Sequence, residues 1–217
     1  MIIGIPVYDQ VDMLDVTGAF EMFDWAGYEI DLLAETRGPK RFRSQGFAFE
    51  VTRSFAEARK YDAIWVPGGE PDALAAIIDD PARTFLNFLV AQAAQTRMMC
   101  SVCDGAMLLA AAGLLDGYHA TTHWEFVSCF AERFPKVIPA AGHPRFVLDR
   151  NRLTGGGVSS SMDEALMLIQ ILQGTVAAQK VQQDTQYYPN PPISSSIPAS
   201  PPHCPIPAAR SGKQRGP

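Results

Sequence analysis

No stretch of this 217-residue sequence comes near the ~20 consecutive apolar residues of a membrane helix, so no spanning segment is expected. Positive charge is scarce. Eighteen Lys and Arg stand against 23 Asp and Glu, a net charge of -5, which suits neither nucleic acid nor an anionic lipid surface as the main partner. There are only four cysteines, at 100, 103, 129 and 204, and they form neither a metal-ligand set nor the dense framework of a small secreted scaffold. No basic-then-apolar signal segment leads the chain, because Met1 passes at once into Ile2-Ile3-Gly4-Ile5-Pro6-Val7, which reads as a strand. There is no GxGxxG, and Gly155-Gly156-Gly157 is not followed by Lys-Ser/Thr, so nucleotide binding is not expected. Together these absences predict a cytoplasmic protein acting on a small molecule, in a reducing setting where an exposed thiolate persists.

The chain does have ample apolar material: 47% of its residues are hydrophobic, enough for one good core and one main domain. Short apolar runs alternate with segments of helical spacing. Strands are predicted at Ile2 to Val7, Tyr28 to Ala34, Ala63 to Val66, Met98 to Val102 and His119 to Thr122. Thr17 reads as the N-cap of a helix carrying Ala19, Met22, Phe23 and Ala26, and Asp80-Pro81 as the start of one carrying Phe85, Phe88, Leu89 and Gln92. Further helices are expected at Gly105 to Ala112, His123 to Phe134 and, as the last, Met162 to Leu172. Hairpins are expected over Phe42 to Thr52 and over Arg145 to Thr154. Apolar strands alternating with helices indicate an α/β layered fold around a mostly parallel sheet. The domain is expected over 1–187. Pro and Ser then dominate 188–207, an extended arm without core-forming residues, and 208–217 reads as a disordered tail.

The chemistry centres on Met98-Met99-Cys100-Ser101-Val102-Cys103-Asp104-Gly105-Ala106. Strand and helix leave room only for a tight turn, and Cys103 sits on it. Such an elbow lifts a side chain above the carboxyl end of the sheet, beside the N–H groups of the new helix, where a thiolate is favoured over a thiol. A buried, inert cysteine is the competing reading. Two other loops end at the same edge of the sheet. Asp15 follows the first strand, and Val66-Pro67-Gly68-Gly69 brings a pair of glycines that let backbone approach a ligand closely. A loop acid such as Asp15 is ordinarily just solvated or compensates a helix dipole, so it is the convergence that singles out this edge.

Asp15-Val16-Thr17-Gly18-Ala19, Val66-Pro67-Gly68-Gly69, Cys100 to Ala106 and Thr122-His123-Trp124 resemble the DJ-1/PfpI superfamily over residues 1 to about 188. Within it, Arg145-Phe146-Val147, Asp149 to Gly157 and Tyr188-Pro189-Asn190-Pro191-Pro192 are most similar to the isocyanide hydratase branch. The resemblance implies a flavodoxin-like three-layer sandwich and a homodimer. It also implies Cys103 as nucleophile on a nucleophile elbow, with Asp15 as its acid/base partner. It implies hydration of an isocyanide to an N-substituted formamide through a cysteine thioimidate, with no metal or organic cofactor. The backbone N–H groups of Gly69 and Asp104 would stabilise developing charge. Asp104 departs from the branch, which has Thr after the nucleophile; the protease-like branch has His there, so an adjacent Cys-His dyad is excluded. His123 is a second candidate for the site or simply a helix-start residue. The alternatives are a glyoxalase III-like conversion of methylglyoxal, a reaction for which Glu is expected at position 15, and a non-enzymatic cysteine-based sensor of oxidant or small ligand.

Overall fold

The structure, a computed structural model, describes residues 1–208. β1 (Ile2–Pro6), α1 (Met13–Trp25), β2 (Glu29–Ala34), β3 (Gly38–Arg41), β4 (Ala48–Val51) and β5 (Arg53–Ser54) form the first part. They are followed by β6 (Ala63–Val66), α2 (Pro71–Ile78), α3 (Thr84–Ala93), β7 (Met98–Ser101) and α4 (Gly105–Ala111). The chain continues through β8 (His119–Ala120), α5 (Val127–Arg133), β9 (Ile138–Pro139), β10 (Phe146–Asp149), β11 (Arg152–Gly155), α6 (Ser160–Gln173) and α7 (Thr175–Asp184).

The main sheet runs β10-β11-β7-β6-β1-β2-β5, with every pair parallel except β10 against β11. α1, α6 and α7 pack together on one side of the sheet; α2, α3 and α4 gather on the other. This is a flavodoxin-like three-layer sandwich. β6 and β7 are buried at every position, as strands covered on both faces must be, and this is why Ala63 to Val66 and Met98 to Ser101 are continuous apolar or small runs. The β10–β11 hairpin turns at Arg150, whose positive φ of 54° suits the tight reversal predicted there.

Several expectations are corrected. α1 begins at Met13, with Asp12 in extended conformation before it, so Thr17 is inside the helix and bonds back to the Met13 carbonyl rather than capping the end. Asp15 therefore lies in the first helical turn, fully buried, rather than in a loop. The helix expected from Asp80-Pro81 starts at Thr84, where Asp80 accepts the Ala82 and Thr84 amides. The strand expected from His119 stops at Ala120, and the helix after it begins with a separate 3-10 turn, Trp124–Phe126. α2 and α7 were not anticipated. Gly174, which reads as a helix stop, is a hinge between α6 and α7.

Residues 188–208 contain no helix or strand, yet this arm is fastened. Cys204, to which the sequence assigned no chemistry, is disulfide-bonded to Cys129 of α5. The Cys204 amide and the His203 ring meet Glu132, Arg133 reaches the Pro207 carbonyl, and Ile206 is buried. A 75-residue separation gives no local spacing signal, and for this reason the pair escaped the cysteine pattern. Closing so long a loop restricts the unfolded chain and stabilises the fold by about 4 kcal/mol in the chain-entropy model. Reduction, or Cys204→Ser, should lower Tm by roughly 10 °C and expose the arm to protease; an unchanged melting curve and digestion pattern would contradict this. Beyond Ala208, the tail expected over 208–217 lies outside the described residues. Among the described residues no helix is long and apolar enough to cross a membrane.

Candidate active site

β7 ends at Ser101 and α4 begins at Gly105, so the chain turns within Val102-Cys103-Asp104. Cys103 makes the turn in the left-handed region, φ 57°, a conformation uncommon for a residue with a side chain. Hydrogen bonds on both sides hold it there. Its amide donates to the Gly156 carbonyl at 2.8 Å, and its carbonyl accepts from Thr122 Oγ1 at 2.9 Å. Gly105 is required by close approach, since a Cβ there would collide with the Val66 carbonyl and press on Pro67. Gly105→Ala should therefore destabilise the fold by about 1–3 kcal/mol, measurable by denaturant unfolding; an unaltered midpoint would mean that the elbow yields.

The structure brings the three predicted loops together. Asp15 Oδ2 accepts the Gly68 amide at 2.9 Å, and Asp104 Oδ1 accepts the Gly69 amide at 2.9 Å. Trp65 Nε1 donates to the Asp15 carbonyl, fixing the first turn of α1 to β6. Asp104 thus points inward and is 2% exposed. The Gly69 N–H assigned to developing charge is engaged by Asp104 in this structure, and the Asp104 amide is directed at the Cys103 sulfur. A third acid joins them: Asp12 Oδ2 is 4.0 Å from Cys103 Sγ, and its other oxygen is 3.4 Å from Arg43 on the β3–β4 loop. Asp12 carries no local signal of a role, and its proximity to Cys103 follows from tertiary structure alone. His123 caps the Trp124–Phe126 turn, its Nδ1 accepting the Glu125 amide, and is close enough to Asp12 for each to feel the other's charge.

The expected thiolate is corrected here. Cys103 is 3% exposed rather than partly open, and burial pushes its thiol well up, with Asp15, Asp104 and Asp12 adding in the same direction. The Asp104 amide acts the other way and is outweighed. One amide at a short helix cannot balance burial plus three carboxylates. Burial likewise raises Asp15 well above the ordinary carboxylate range, helped by Asp12 and opposed by the Gly68 N–H. Burial raises Asp104 to about 8 even though the Gly69 N–H favours its charged form. Asp12 is raised by burial, with Arg43 opposing. With Asp15 and Asp104 both pushed towards their neutral forms, the group can hold protons around a sulfur, and its members titrate as a set.

Asp12, Cys103 and Asp104 each offer a ligand atom, all within 4.8 Å of one another. Asp12 faces Arg43, and Asp104 is held by an amide, so the cluster is better described by shared protons than by a metal centre. Beside the elbow lies a cavity of about 350 Å³, walled among others by Thr122, His123, Trp124, Gly156, Val158 and Ile197 from the arm.

The DJ-1/PfpI family model matches residues 1–171. The isonitrile hydratase of Pseudomonas putida is 35% identical over 209 residues, covering 96% of this chain and 88% of that enzyme. The HTH-type transcriptional regulator GbdR of Pseudomonas aeruginosa is 35% identical over 149 residues, 69% of this chain but only 37% of the regulator. Among solved structures, a ThiJ/PfpI family protein from Pseudomonas syringae superposes with a TM-score of 0.82 at 32% identity, covering 90% of this chain and 78% of that one.

Proposed function

The chain belongs to the DJ-1/PfpI family, and we propose that it hydrates isocyanides to N-substituted formamides without a cofactor, Cys103 serving as nucleophile and Asp15 as the acid/base partner. The observation that carries this reading is a cysteine on a left-handed elbow beside the buried carboxyls of Asp15 and Asp104, whose burial favours their protonated forms. The similarity to an isonitrile hydratase along nearly the whole chain supports it.

An isocyanide carbon has a lone pair and no hydrogen, so it needs a nucleophile and a proton on the same atom. Cys103 sulfur bonds to that carbon while Asp15 delivers a proton to it, and the thiol proton remains with the carboxylate set. The product of this step is a thioimidate. Water then adds to its carbon, a carboxylate of the set taking one proton and the nitrogen receiving one. Cleavage of the C–S bond restores the thiol and releases the formamide. Overall, one isocyanide and one water give one formamide, with no net proton gained or lost. Covalent catalysis and general acid–base catalysis are combined in one small volume. In this scheme Gly69 and Asp104 contribute amides to the pocket, the Gly69 N–H becoming free when the Asp104 carboxyl moves aside. The cavity by Trp124 and Ile197 is apolar on one wall and suits the organic substituent of the isocyanide.

The proposal includes a homodimer and a cytoplasmic setting. Against the latter weighs the Cys129–Cys204 bond, since such bonds are rare in reducing compartments. The similarity to the regulator favours a second reading, a ligand-sensing domain whose cysteine does no chemistry. Mass detection of formamide from a simple aryl isocyanide decides between them. The wild type should form it and Cys103→Ser should not. Equal rates in the two proteins, or none in either, would overturn the hydratase reading.

A further inference from the structure

Near the elbow a further acid lies on α6, buried where that helix packs against α1 and β11. Glu164 is fully buried, and neither of its carboxyl oxygens meets a protein hydrogen-bond partner. Its head group lies against Gly155 at the end of β11, where any Cβ would collide with it, and a Cβ there would also stand 3.4 Å from Val102 of the elbow. One turn earlier on the same face of α6 is Ser161, also buried and unpartnered. Ser161 faces Gly18, and a Cβ on Gly18 would be 2.6 Å from its hydroxyl. Gly18 in turn is one turn from Asp15 on α1, whose Oδ1 is unpartnered as well. Of the seven unpartnered buried side-chain atoms among the described residues, these three side chains supply four, and all belong to α1 and α6, which pack against each other.

A carboxyl group in such a place must be neutral or paired, because an isolated buried charge is prohibitive. Burial, and next the charge of Asp15, push Glu164 well up, so it keeps its proton. A neutral acid is a donor, and Asp15 Oδ1 is an unpartnered acceptor on the helix packed against α6. An apolar residue of the same size would pack there without the desolvation penalty, so packing alone does not explain a Glu.

We propose that Glu164 is a positioning residue for Asp15: a neutral carboxyl whose O–H turns to Asp15 Oδ1 when Asp15 gives up its proton, so that Asp15 can cycle between its forms. The role in turnover rests on the hydratase reading; the pairing of the two acids does not. Asp15 is also faced by Asp12, Asp104, Cys103 and, more distantly, Arg43, and Glu164 by Cys100 of β7. Apart from Cys103 in the serine baseline, none of these groups is altered in the comparison below.

The test measures thiolate absorbance against pH, with Cys103→Ser as baseline, in the wild type, Glu164→Gln and Glu164→Leu. Infrared spectra of the wild type and Glu164→Gln are compared as well. Gln is neutral and can donate, so its thiolate curve should match the wild type while a protonated-carboxyl band is lost. Leu cannot donate. Asp15 then keeps its proton to higher pH, opposes the thiolate less, and the curve should move to lower pH. Isocyanide turnover should fall roughly ten- to a hundredfold in Glu164→Leu and be restored in Glu164→Gln, the loss of one hydrogen bond to a charged group. A Leu curve that coincides with the wild type, whatever its Tm, makes Glu164 a packing residue and overturns the proposal. So does a Gln curve displaced like that of Leu, or a protonated-carboxyl absorbance no smaller in Glu164→Gln than in the wild type. If Glu164→Leu does not fold, Glu164→Met takes its place, and failure of both to fold assigns the residue to folding and also overturns it. If the wild type makes no formamide, the hydratase reading fails while the thiolate curves still decide the pairing.

Discussion

Asp15→Asn should fold like the wild type and lose isocyanide turnover by about 10²–10⁴-fold, the usual contribution of a positioned proton donor. The amide keeps an oxygen to accept the Gly68 N–H, and Trp65 bonds to the backbone carbonyl of residue 15, so the local structure has no reason to change. The variant lacks an ionisable proton. Cys103 can still attack the isocyanide carbon, but the carbon then depends on Asp104 or Asp12 for its hydrogen, and both are held elsewhere, by the Gly69 amide and by Arg43. Removing Asp15 should also ease ionisation of Cys103, since among the carboxylates Asp15 opposes the thiolate most strongly. The combination of easier thiolate formation and slower turnover separates a lost acid from a damaged nucleophile. Thiolate absorbance and formamide production measured on the same preparation check it; turnover close to the wild type would remove Asp15 from the mechanism.

The elements legible in the sequence are those whose signals are local. β6 and β7 are short apolar runs, the β10–β11 hairpin is marked by Asp149-Arg150-Asn151, and the elbow is confined by the few residues between Ser101 and Gly105. α2 had a start signal in Pro71, but it is only eight residues long and begins just after Gly68-Gly69, where the glycines dominate the local pattern. α7 was hidden because Gly174, φ 93°, ends one helix and opens another. For the site, the meeting of Asp15, Gly68, Gly69, Asp104 and Cys103 follows from a general rule, that ligands gather beyond the carboxyl ends of parallel strands. The charge state did not follow from it. A helix start beside a cysteine argues for a thiolate, whereas the number of carboxylates turned inward depends on packing. Asp12 reaches the sulfur because its amide bonds the Gly68 carbonyl, a contact 56 positions away in sequence. Glu164 in Asp163-Glu164-Ala165-Leu166 reads as a helix-surface acid until α1 covers it.

Asp104→Thr should stabilise the protein at alkaline pH and move the Cys103 thiolate curve to lower pH. In the folded protein Asp104 keeps its proton to about 8, against 3.8 for the free side chain. Between those values the folded state holds more protons than the unfolded one, so stability contributed below the lower value is lost as pH rises through the upper one. Because the residue is buried, the span corresponds to a penalty on the order of several kcal/mol, shared with Asp12 and Asp15 because the acids titrate together. Thr carries no charge, and its hydroxyl can accept the Gly69 amide or leave that amide free for the substrate. Thermal melts of both proteins should then coincide near pH 4 and diverge towards pH 9, with the variant higher by roughly 10 °C. Wild-type turnover should decline as pH rises past about 8, when the set gives up protons the reaction uses, and Asp104→Thr should flatten that decline. Melting curves that stay parallel from acid to alkaline pH, with an unmoved thiolate curve, would show Asp104 to be ionised throughout and Asp15 to be the sole proton store beside Cys103.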